Sequence, residues 1–340
     1  MRRIALGVGA LVLALGIVAA WGLRFRRPPV PALPGELVAG SLEHADRTRT
    51  WHAYLPKARA PAPALVFVLH GSGGDGGQAR GGYAYDFDVL AEREGFVPVY
   101  PDGFEEHWND CRKAAPYSAN TLDVDDVGFL RALVERFANE HGADRGRVFA
   151  TGISNGGQMA LRLALEAPDL VRAVAPVAAS LPAEHNMDCR PAGRPVSVLI
   201  MNGTADPMNP FEGGDVALYG LLGNRGAVLS SADSIDYFRD LAGYTGPPAV
   251  NALPDREPGD GSTVEVRRWD APGRKPVALY AVLNGGHNAP HPALELPRLL
   301  GPTNHDVAAA EEIWRFFRES PSAASTRSGP EARPAARRAP

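Results

Sequence analysis

The sequence predicts an α/β fold in which helices cover both faces of a mostly parallel central sheet. Short apolar runs alternate along the chain with segments of helical spacing, the order expected of parallel strands joined by crossover helices. The apolar runs are nearly unbroken, which is typical of strands buried on both faces. The chain has 340 residues, 45% hydrophobic and 22% charged, an ordinary composition for one large globular domain.

The apolar runs predict strands, in chain order, at residues 65–69, 96–100, 147–151, 171–177, 196–201, 264–269 and 277–283. Apolar residues three and four positions apart predict helices at residues 127–141, 158–167, 231–241 and 306–317. Asp125 or Asp126 is expected to cap the first of these helices, and Gly142 to end it. In such sheets, sites form at the carboxyl ends of the strands, so the functional residues are expected in the loops that follow them.

The N-terminal segment is expected to lie outside the folded domain. Arg2 and Arg3 precede an uncharged run over residues 4–23, whose length of about 20 residues suffices to span a bilayer core. Residues 1–23 are therefore expected to be a signal peptide or a signal anchor, and either would place the rest of the chain outside the cytoplasm. No cysteine follows directly after the run, which excludes a lipoprotein anchor.

One folded domain is predicted over residues 35–320. Residues 24–34 form a proline-rich linker before it, and residues 321–340 contain Ala, Pro, Ser and Arg with almost no large apolar residue. Such a tail cannot bury enough surface to offset the entropy of ordering, so it is predicted to be disordered. The formal net charge of -4 argues against a nucleic-acid partner, which usually requires a basic face.

The two cysteines, Cys111 and Cys189, do not stand in a CxxC pattern. The sequence therefore gives no sign of a zinc site or of a thioredoxin-like redox site. In an oxidising compartment they would form one disulfide, and otherwise they are two unpaired thiols. Their spacing does not decide between the two, because it does not fix the distance between their Cα atoms.

The segment Gly152-Ile153-Ser154-Asn155-Gly156 is the one G-x-S-x-G pattern of the chain. It follows a predicted strand and precedes a predicted helix, which is the context of a nucleophile elbow. The glycines leave room for close packing of strand and helix, and Ser154 projects its hydroxyl above the sheet. The alternative is an ordinary strand–helix turn with a capping serine.

A serine hydroxyl becomes a good nucleophile when a histidine removes its proton and an acid orients that histidine. In folds with this elbow the acid and then the histidine follow the serine along the chain. Asp206 follows the strand at 196–201, and His287 follows the strand at 277–283 after two glycines. Asp215 is an alternative acid, and His291 and His305 are alternative histidines, all three ranked below the first choice.

Donors for a developing oxyanion are expected at two backbone N–H groups, those of Ser72 and Asn155. Ser72 lies in the glycine-rich turn HGSGG after the strand at 65–69, and Asn155 begins the helix after the elbow. A phosphate-binding loop is excluded because HGSGGDGG lacks the Lys and Ser/Thr of a P-loop. His70 is expected to pack beneath this turn. Trp108 is predicted to form a wall of the substrate cleft, or else to pack against the domain.

Taken together, these segments resemble those of the polyhydroxybutyrate depolymerase and feruloyl or acetylxylan esterase type of α/β hydrolase, the first carbohydrate esterase family. The matching segments, in family order, are LVFVLHGSGGDG, VYPDGFEEHWNDC, DVDDVGFLRALV, VFATGISNGGQMALRLALEAPDLVRAVAPVAASLP, IMNGTADPMNPFEGG and GGHNAP. The resemblance implies the α/β-hydrolase fold and a secreted ester hydrolase without metal or organic cofactor. It also implies Ser154, Asp206 and His287 as the triad, and Ser72 and Asn155 at the oxyanion hole.

The chain departs from this family at two places. Asn288-Ala289-Pro290 follows the histidine where family members often have Trp-Pro, and Asn155 stands where many have Ala. Both departures concern the substrate more than the catalysis.

The expected function is hydrolysis of carboxylic esters through an acyl-enzyme outside the cytoplasm. The substrate would be a small or polymeric ester of polyhydroxyalkanoate, feruloyl or acetyl-sugar type, and the membrane would be contacted only through residues 4–23. The alternatives are a serine peptidase of the same fold and a catalytically idle, membrane-anchored binding protein. The sequence gives no oligomeric state.

Overall fold

The computed structural model describes residues 25–321. Its strands are β1 (Glu36–His44), β2 (Arg47–Leu55), β3 (Leu65–Leu69), β4 (Val97–Pro101), β5 (Val148–Ile153), β6 (Ala173–Val177), β7 (Ser197–Gly203), β8 (Gly214–Asp215), β9 (Ala227–Val228), β10 (Ala249–Ala252), β11 (Thr263–Trp269) and β12 (Val277–Leu283). Its α-helices are α1 (Gly76–Gly82), α2 (Asp86–Glu94), α3 (Ser118–Thr121), α4 (Asp126–His141), α5 (Asn155–Glu166), α6 (Ser231–Leu241) and α7 (Ala309–Glu319).

Within residues 25–321, ten strands form one sheet in the order β1-β2-β4-β3-β5-β6-β7-β12-β11-β10. The run from β4 to β12 is parallel throughout, and antiparallel strands extend it on both sides. The strands that precede the predicted site residues are therefore parallel: β3, β5, β7 and β12. Their carboxyl ends meet at one edge of the sheet.

Helices cover both faces of this sheet and form two cores. In β3, Leu65, Phe67 and Leu69 enter one core, and Val66 and Val68 enter the other, because successive side chains point to opposite faces. Helices α4, α5 and α6 line the first core, and α1, α2 and α7 line the second. This arrangement is the α/β-hydrolase fold, as predicted.

Most predicted elements lie within a few residues of the observed ones. The helix at 231–241 and the strands at 65–69 and 277–283 have the predicted bounds. Asp125 caps α4 by accepting the N–H of Gly128, and Gly142 ends this helix in the left-handed conformation. The last helix begins at Ala309 rather than at residue 306, because the Asp306 carboxylate accepts the N–H groups of Arg256 and Glu257 in a loop.

The prediction omitted the β1–β2 hairpin, the short strands β8, β9 and β10, and the short helices α1, α2 and α3. In β1 each side chain is exposed or half-buried, so the strand carries no apolar run and is defined by its pairing with β2. Helix α1, with the sequence GGQARGG, has low helix propensity and depends on its tertiary contacts.

The predicted terminal segments lie partly outside the described residues and partly against the domain. The predicted signal peptide or anchor (residues 1–23) and the predicted tail beyond residue 321 lie outside the described residues. Part of the predicted linker contacts the domain, since the main chains of Arg26 and Glu295 exchange hydrogen bonds of 2.9 and 2.8 Å. Between residues 25 and 321, no helix is long and apolar enough to cross a membrane.

Candidate active site

Ser154 occupies a strained turn between β5 and α5. Its backbone angles are φ 58° and ψ -119°, which non-glycine residues rarely adopt. The turn is held by its N–H, which donates to Val177 O at 2.9 Å, and by its carbonyl, which accepts the Gln158 N–H at 2.8 Å. A β-carbon at Gly156 would lie 2.2 Å from Leu69 O, and one at Gly152 would lie 2.5 Å from the Gly156 carbonyl carbon. The elbow pattern thus requires both glycines for steric reasons.

The loop that follows β3 lies beside this turn. A β-carbon built on Gly71 would lie 3.6 Å from Ser154 Cβ, so the Gly71-Ser72 segment is a direct neighbour of the serine. Asn155 is the first residue of α5, and the first N–H groups of a helix have no partner within it. The two residues predicted as oxyanion donors, Ser72 and Asn155, therefore follow β3 and β5, two adjacent parallel strands.

His70 is buried beneath this loop, as predicted. Its Nδ1 contacts Gly71 O at 2.7 Å, and its Nε2 accepts the Gly103 N–H at 2.8 Å. Burial lowers the pKa of His70, which favours the neutral imidazole. A neutral ring with the proton on Nδ1 satisfies both contacts, so His70 connects the loop after β3 to the loop after β4.

Asp206 and His287, which follow β7 and β12, are in direct contact. Asp206 Oδ2 lies 2.7 Å from His287 Nδ1, and both side chains are buried. Asp206 Oδ1 accepts the N–H groups of Met208 and Asn209 at 2.7 and 2.8 Å. With one carboxylate oxygen held by the backbone and the other facing Nδ1, the imidazole carries its proton on Nδ1 and has its lone pair on Nε2.

His287 Nε2 is buried and has no hydrogen-bond partner among the described residues. The Ser154 hydroxyl is therefore not hydrogen-bonded to it in this conformation. Catalytic hydrogen bonds in ligand-free enzymes are often long and tighten when substrate binds.

The loops around Asp206 and His287 are joined through their main chains. Ala205 N–H donates to Gly285 O at 2.9 Å, Gly286 N–H to Pro302 O at 2.7 Å, and His287 N–H to Leu300 O at 2.6 Å. These bonds fix both loops at the carboxyl edge of the sheet.

The alternative acid and histidines have other partners. Asp215 is exposed in β8 and accepts a hydrogen bond from Asn224 at 3.1 Å. His291 Nδ1 accepts the N–H groups of Ala293 and Leu294, so its Nε2 carries the proton that faces Asp86 Oδ2 at 3.2 Å. His305 Nδ1 donates to His291 O at 2.8 Å.

Trp108 does not line a cleft, which corrects the first of its two predicted placements. Its side chain is fully buried, and its indole N–H donates to His70 O at 3.1 Å. It packs against the His70 ring, with the two centroids 5.0 Å apart. Trp108 therefore supports the loop after β3 from below.

The side chain of Asn155 has a role that the sequence did not reveal. It is fully buried, and its Oδ1 accepts the Trp108 N–H at 2.8 Å while its Nδ2 donates to Trp108 O at 3.1 Å and Asp110 Oδ2 at 2.7 Å. Asp110 is also paired with buried Arg112. The residue after Ser154 thus fastens the loop of residues 108–112 to the start of α5. The one hint in the sequence was that an asparagine stands at this position of the elbow, where many family members have alanine.

Cys111, in the same loop, is bonded to Cys189. Their Cα atoms lie 5.0 Å apart, and 78 positions separate them in sequence. The disulfide attaches the loop of residues 108–112 to the segment between β6 and β7. No cysteine in the described residues is free.

Tyr117 forms a second contact to the loop after β3. Its hydroxyl accepts a hydrogen bond from Ser72 Oγ at 2.6 Å and another from Arg225 Nε. The His107 ring stacks on Tyr117 with centroids 4.1 Å apart. Nothing in the sequence pattern signalled these residues. Over residues 25–321, no cluster of three or more His, Cys, Asp or Glu side chains is arranged to hold a metal ion.

Comparison with known proteins gives relatives for this chain. The family model described as Esterase PHB depolymerase matches residues 50–188, which include the elbow but neither Asp206 nor His287. A protein of Nocardia uniformis subsp. tsuyamanensis named "Putative esterase NocK" is 31% identical over 301 residues, which are 84% of this chain and 84% of that protein. Probable feruloyl esterase C of Aspergillus niger is 28% identical over 173 residues, covering 50% of this chain and 58% of that protein.

The fold has a counterpart among solved structures. Acetyl xylan esterase from Aspergillus awamori superposes with a TM-score of 0.54 at 15% identity, covering 82% of this chain and 99% of the other. The likeness supports the fold, and the sequence relatives support the family. The chain belongs to the esterase family of polyhydroxybutyrate depolymerase, feruloyl esterase and acetylxylan esterase type, within the α/β hydrolases.

Proposed function

We propose that this esterase is a serine hydrolase in which Ser154 is the nucleophile, His287 the general base and Asp206 the residue that orients the histidine. One observation carries the proposal. A buried Asp206–His287 pair, with an unpartnered Nε2, lies at the same sheet edge as a serine in a strained elbow. Each feature alone has a structural explanation, but together they match the requirements of an activated serine.

In the first half-reaction, Ser154 Oγ attacks the ester carbonyl carbon and its proton passes to His287 Nε2. The carboxylate of Asp206 stabilises the imidazolium that forms. The tetrahedral intermediate then collapses, the bond between the carbonyl carbon and the alkoxy oxygen breaks, and Nε2–H protonates the leaving alcohol. An acyl-enzyme on Ser154 remains.

The oxyanion of the tetrahedral intermediate would be held by the N–H groups of Ser72 and Asn155. Preorganised donors of this kind contribute about 100- to 1000-fold each to the rate in serine hydrolases. The buried contacts of His70 and of the Asn155 side chain support this role, because they fix the two loops that carry the donors.

In the second half-reaction, His287 Nε2 removes a proton from water, and the resulting hydroxide attacks the acyl carbon. The bond to Ser154 Oγ breaks, the serine recovers its proton from Nε2–H, and the carboxylic acid leaves. No redox step and no further reactant are needed.

The names of the relatives support esters of feruloyl, acetyl-sugar or polyhydroxyalkanoate type as the substrates. We further propose that the enzyme works outside the cytoplasm. The Cys111–Cys189 disulfide supports this location, because disulfides persist in oxidising compartments, and so does the apolar run over residues 4–23.

The test is hydrolysis of 4-nitrophenyl acetate by the wild-type enzyme and by Ser154→Ala. We expect kcat to fall by at least about a thousandfold, because the attacking group is gone. Ser41→Ala, on exposed β1, is the matched control and should keep the wild-type rate.

Labelling with a fluorophosphonate probe gives a second readout. Wild-type enzyme should be labelled on Ser154, and Ser154→Ala should not be labelled. Equal hydrolysis by both proteins would rule out the serine mechanism. Absence of both hydrolysis and labelling in wild-type enzyme would favour the idle binding protein, and cleavage of peptides in preference to esters would favour the peptidase.

A further inference from the structure

A loop of residues 214–228, which we call the rim loop, connects the two sides of the site. Near one end, Tyr219 N–H donates to Pro207 O at 2.6 Å and Ala217 N–H to Met208 O at 3.2 Å, next to Asp206. At the other end, the Arg225 side chain donates to Tyr117, which also contacts Ser72. The rim loop therefore borders the space above the sheet edge where the substrate must bind.

The Arg225 guanidinium is only partly used by the protein. Its Nε donates to the Tyr117 hydroxyl and its Nη1 to Gly223 O at 2.5 Å. A guanidinium has five N–H donors, so three remain. No Asp or Glu of residues 25–321 lies within ion-pair distance of it, although the residue is half-buried.

Two more deeply buried arginines of this chain each have a carboxylate partner. Arg49 pairs with Asp126 at 2.7 Å, and Arg112 pairs with Asp110 at 2.5 Å. A charge that is withdrawn from water without a counter-ion is costly, and such charges in proteins are normally paired. Arg225 is thus a half-buried cation whose counter-ion is not supplied by the described chain.

Arg225 lies close to the proposed reaction centre. The Tyr117 hydroxyl accepts hydrogen bonds from both Arg225 Nε and Ser72 Oγ, so the guanidinium and the proposed oxyanion loop share one partner atom. Gly71, the residue before Ser72, is in contact range of Ser154. The free N–H donors therefore belong to a side chain that shares a partner with the loop proposed to hold the oxyanion, and this loop is the neighbour of Ser154.

We propose that Arg225 determines specificity by binding a carboxylate on the substrate, so that this enzyme favours esters that carry a free carboxylate near the scissile bond. The inference rests on the proposed serine esterase function. A planar guanidinium with free N–H groups binds a carboxylate through paired, charge-assisted hydrogen bonds. The carboxylate can belong to the acyl half or to the alcohol half of the ester, and the experiment separates the two.

The experiment compares matched esters with the same full-length enzyme. For the acyl half, the pair is mono-4-nitrophenyl adipate and 4-nitrophenyl hexanoate, which have the same chain length. For the alcohol half, the pair is 4-acetoxybenzoate and its neutral methyl ester. In each pair the ratio of kcat/KM, charged over neutral, is measured for wild type, Arg225→Gln, Arg225→Lys and Arg194→Gln.

Arg225→Gln should lower the ratio in one pair by about 10- to 100-fold, which is the usual contribution of a hydrogen bond to a charged group. The loss should appear mainly in KM, and Arg225→Lys should retain part of the preference because it keeps the charge. Arg194→Gln removes an exposed positive charge just before β7, at the opposite edge of the sheet, and should leave both ratios unchanged.

A ratio that Arg225→Gln leaves unchanged in both pairs would overturn the proposal. If kcat/KM of that variant falls equally for the charged and the neutral esters, Arg225 only positions the rim loop, and the proposal is also overturned. Failure of wild-type enzyme to hydrolyse any of the four esters would instead contradict the proposed serine esterase function, and the inference would fall with it.

Discussion

The two sides of the candidate site differ in how much of their support comes from buried side chains. On the acid–histidine side (residues 203–209, 285–287 and 300–302), main-chain hydrogen bonds join the loops to one another. On the nucleophile side (residues 70–74, 103–112 and 152–156), one main-chain bond joins Gly73 N–H to Glu106 O at 3.0 Å. Most of the support there comes from buried side chains and a disulfide, through His70, Trp108, Asn155 and Cys111.

Because of this difference, substitutions on the two sides should affect activity and stability in different ways. A side-chain substitution on the acid–histidine side can remove the chemistry while the backbone bonds keep the loops in place. On the nucleophile side, buried side chains supply most of the support, so one substitution should lower activity and stability together. Four measurements test the comparison, in order of decreasing expected effect.

The largest effect is expected for Asp206→Asn. The amide oxygen can still accept the N–H groups of Met208 and Asn209, but the amide nitrogen would face His287 Nδ1 as a donor. The imidazole would then carry its proton on Nε2 and lose its function as a base, and kcat/KM should fall about 10⁴-fold. Initial rates on 4-nitrophenyl butyrate measure kcat/KM, and the midpoint of urea unfolding measures the stability.

Stability of this variant should stay close to that of wild type. Asp215→Asn is the matched control and should change neither kcat/KM nor the stability, since Asp215 is exposed in β8. A similar loss of rate in both variants would show that Asp206 has no special part in the reaction.

The second effect concerns the disulfide. Replacing both Cys111 and Cys189 with Ser should lower the free energy of unfolding by about 2–5 kcal/mol, because the bond closes a long loop in the unfolded chain. Activity should fall as well, since Asp110, the neighbour of Cys111, contacts Asn155. Urea unfolding and initial rates test this, and reduced wild-type enzyme should behave like the variant. Full stability with full activity would contradict the supporting role.

The third effect is expected for Asn155→Ala. The N–H and carbonyl of Trp108 and the carboxylate of Asp110 would lose their partner in a buried place, at a cost of about 1–3 kcal/mol of stability. Both thermal stability and kcat should fall, unlike the result for Asp206→Asn. Asn139→Ala, on the exposed side of α4, is the control. An equal change in the two variants would show that the buried contacts of Asn155 do not support the site.

The smallest effect concerns pH and His70. Burial lowers the pKa of His70 in the folded protein, so the unfolded chain binds a proton there more readily. Its contribution to stability is fully present above the unfolded value of about 6.5 and is lost as the pH falls toward the folded pKa. The loss in stability between pH 8 and pH 5 should therefore be smaller in His70→Gln than in wild type. Equal losses would show that His70 is not buried as a neutral ring.

Much of the fold and part of the site could be predicted because their signals are local. The apolar runs that became β3, β5, β7 and β12 are consecutive residues, and the elbow needs Gly152 and Gly156 within five positions. The polar strand β1 and the glycine-rich α1 could not be predicted in this way, since their conformation comes from pairing and packing with distant segments.

The sequence by itself determined the α/β fold class, the position of Ser154 in the elbow and the loops in which its partners must lie. Tertiary structure decided that Asp206 rather than Asp215 meets a histidine, and that this histidine is His287 rather than His291 or His305. It also decided that Trp108 is buried and that Arg225 meets Tyr117 beside Ser72. The physical reason is that these contacts join residues 38 to 108 positions apart, and the order of strands in the sheet brings them together.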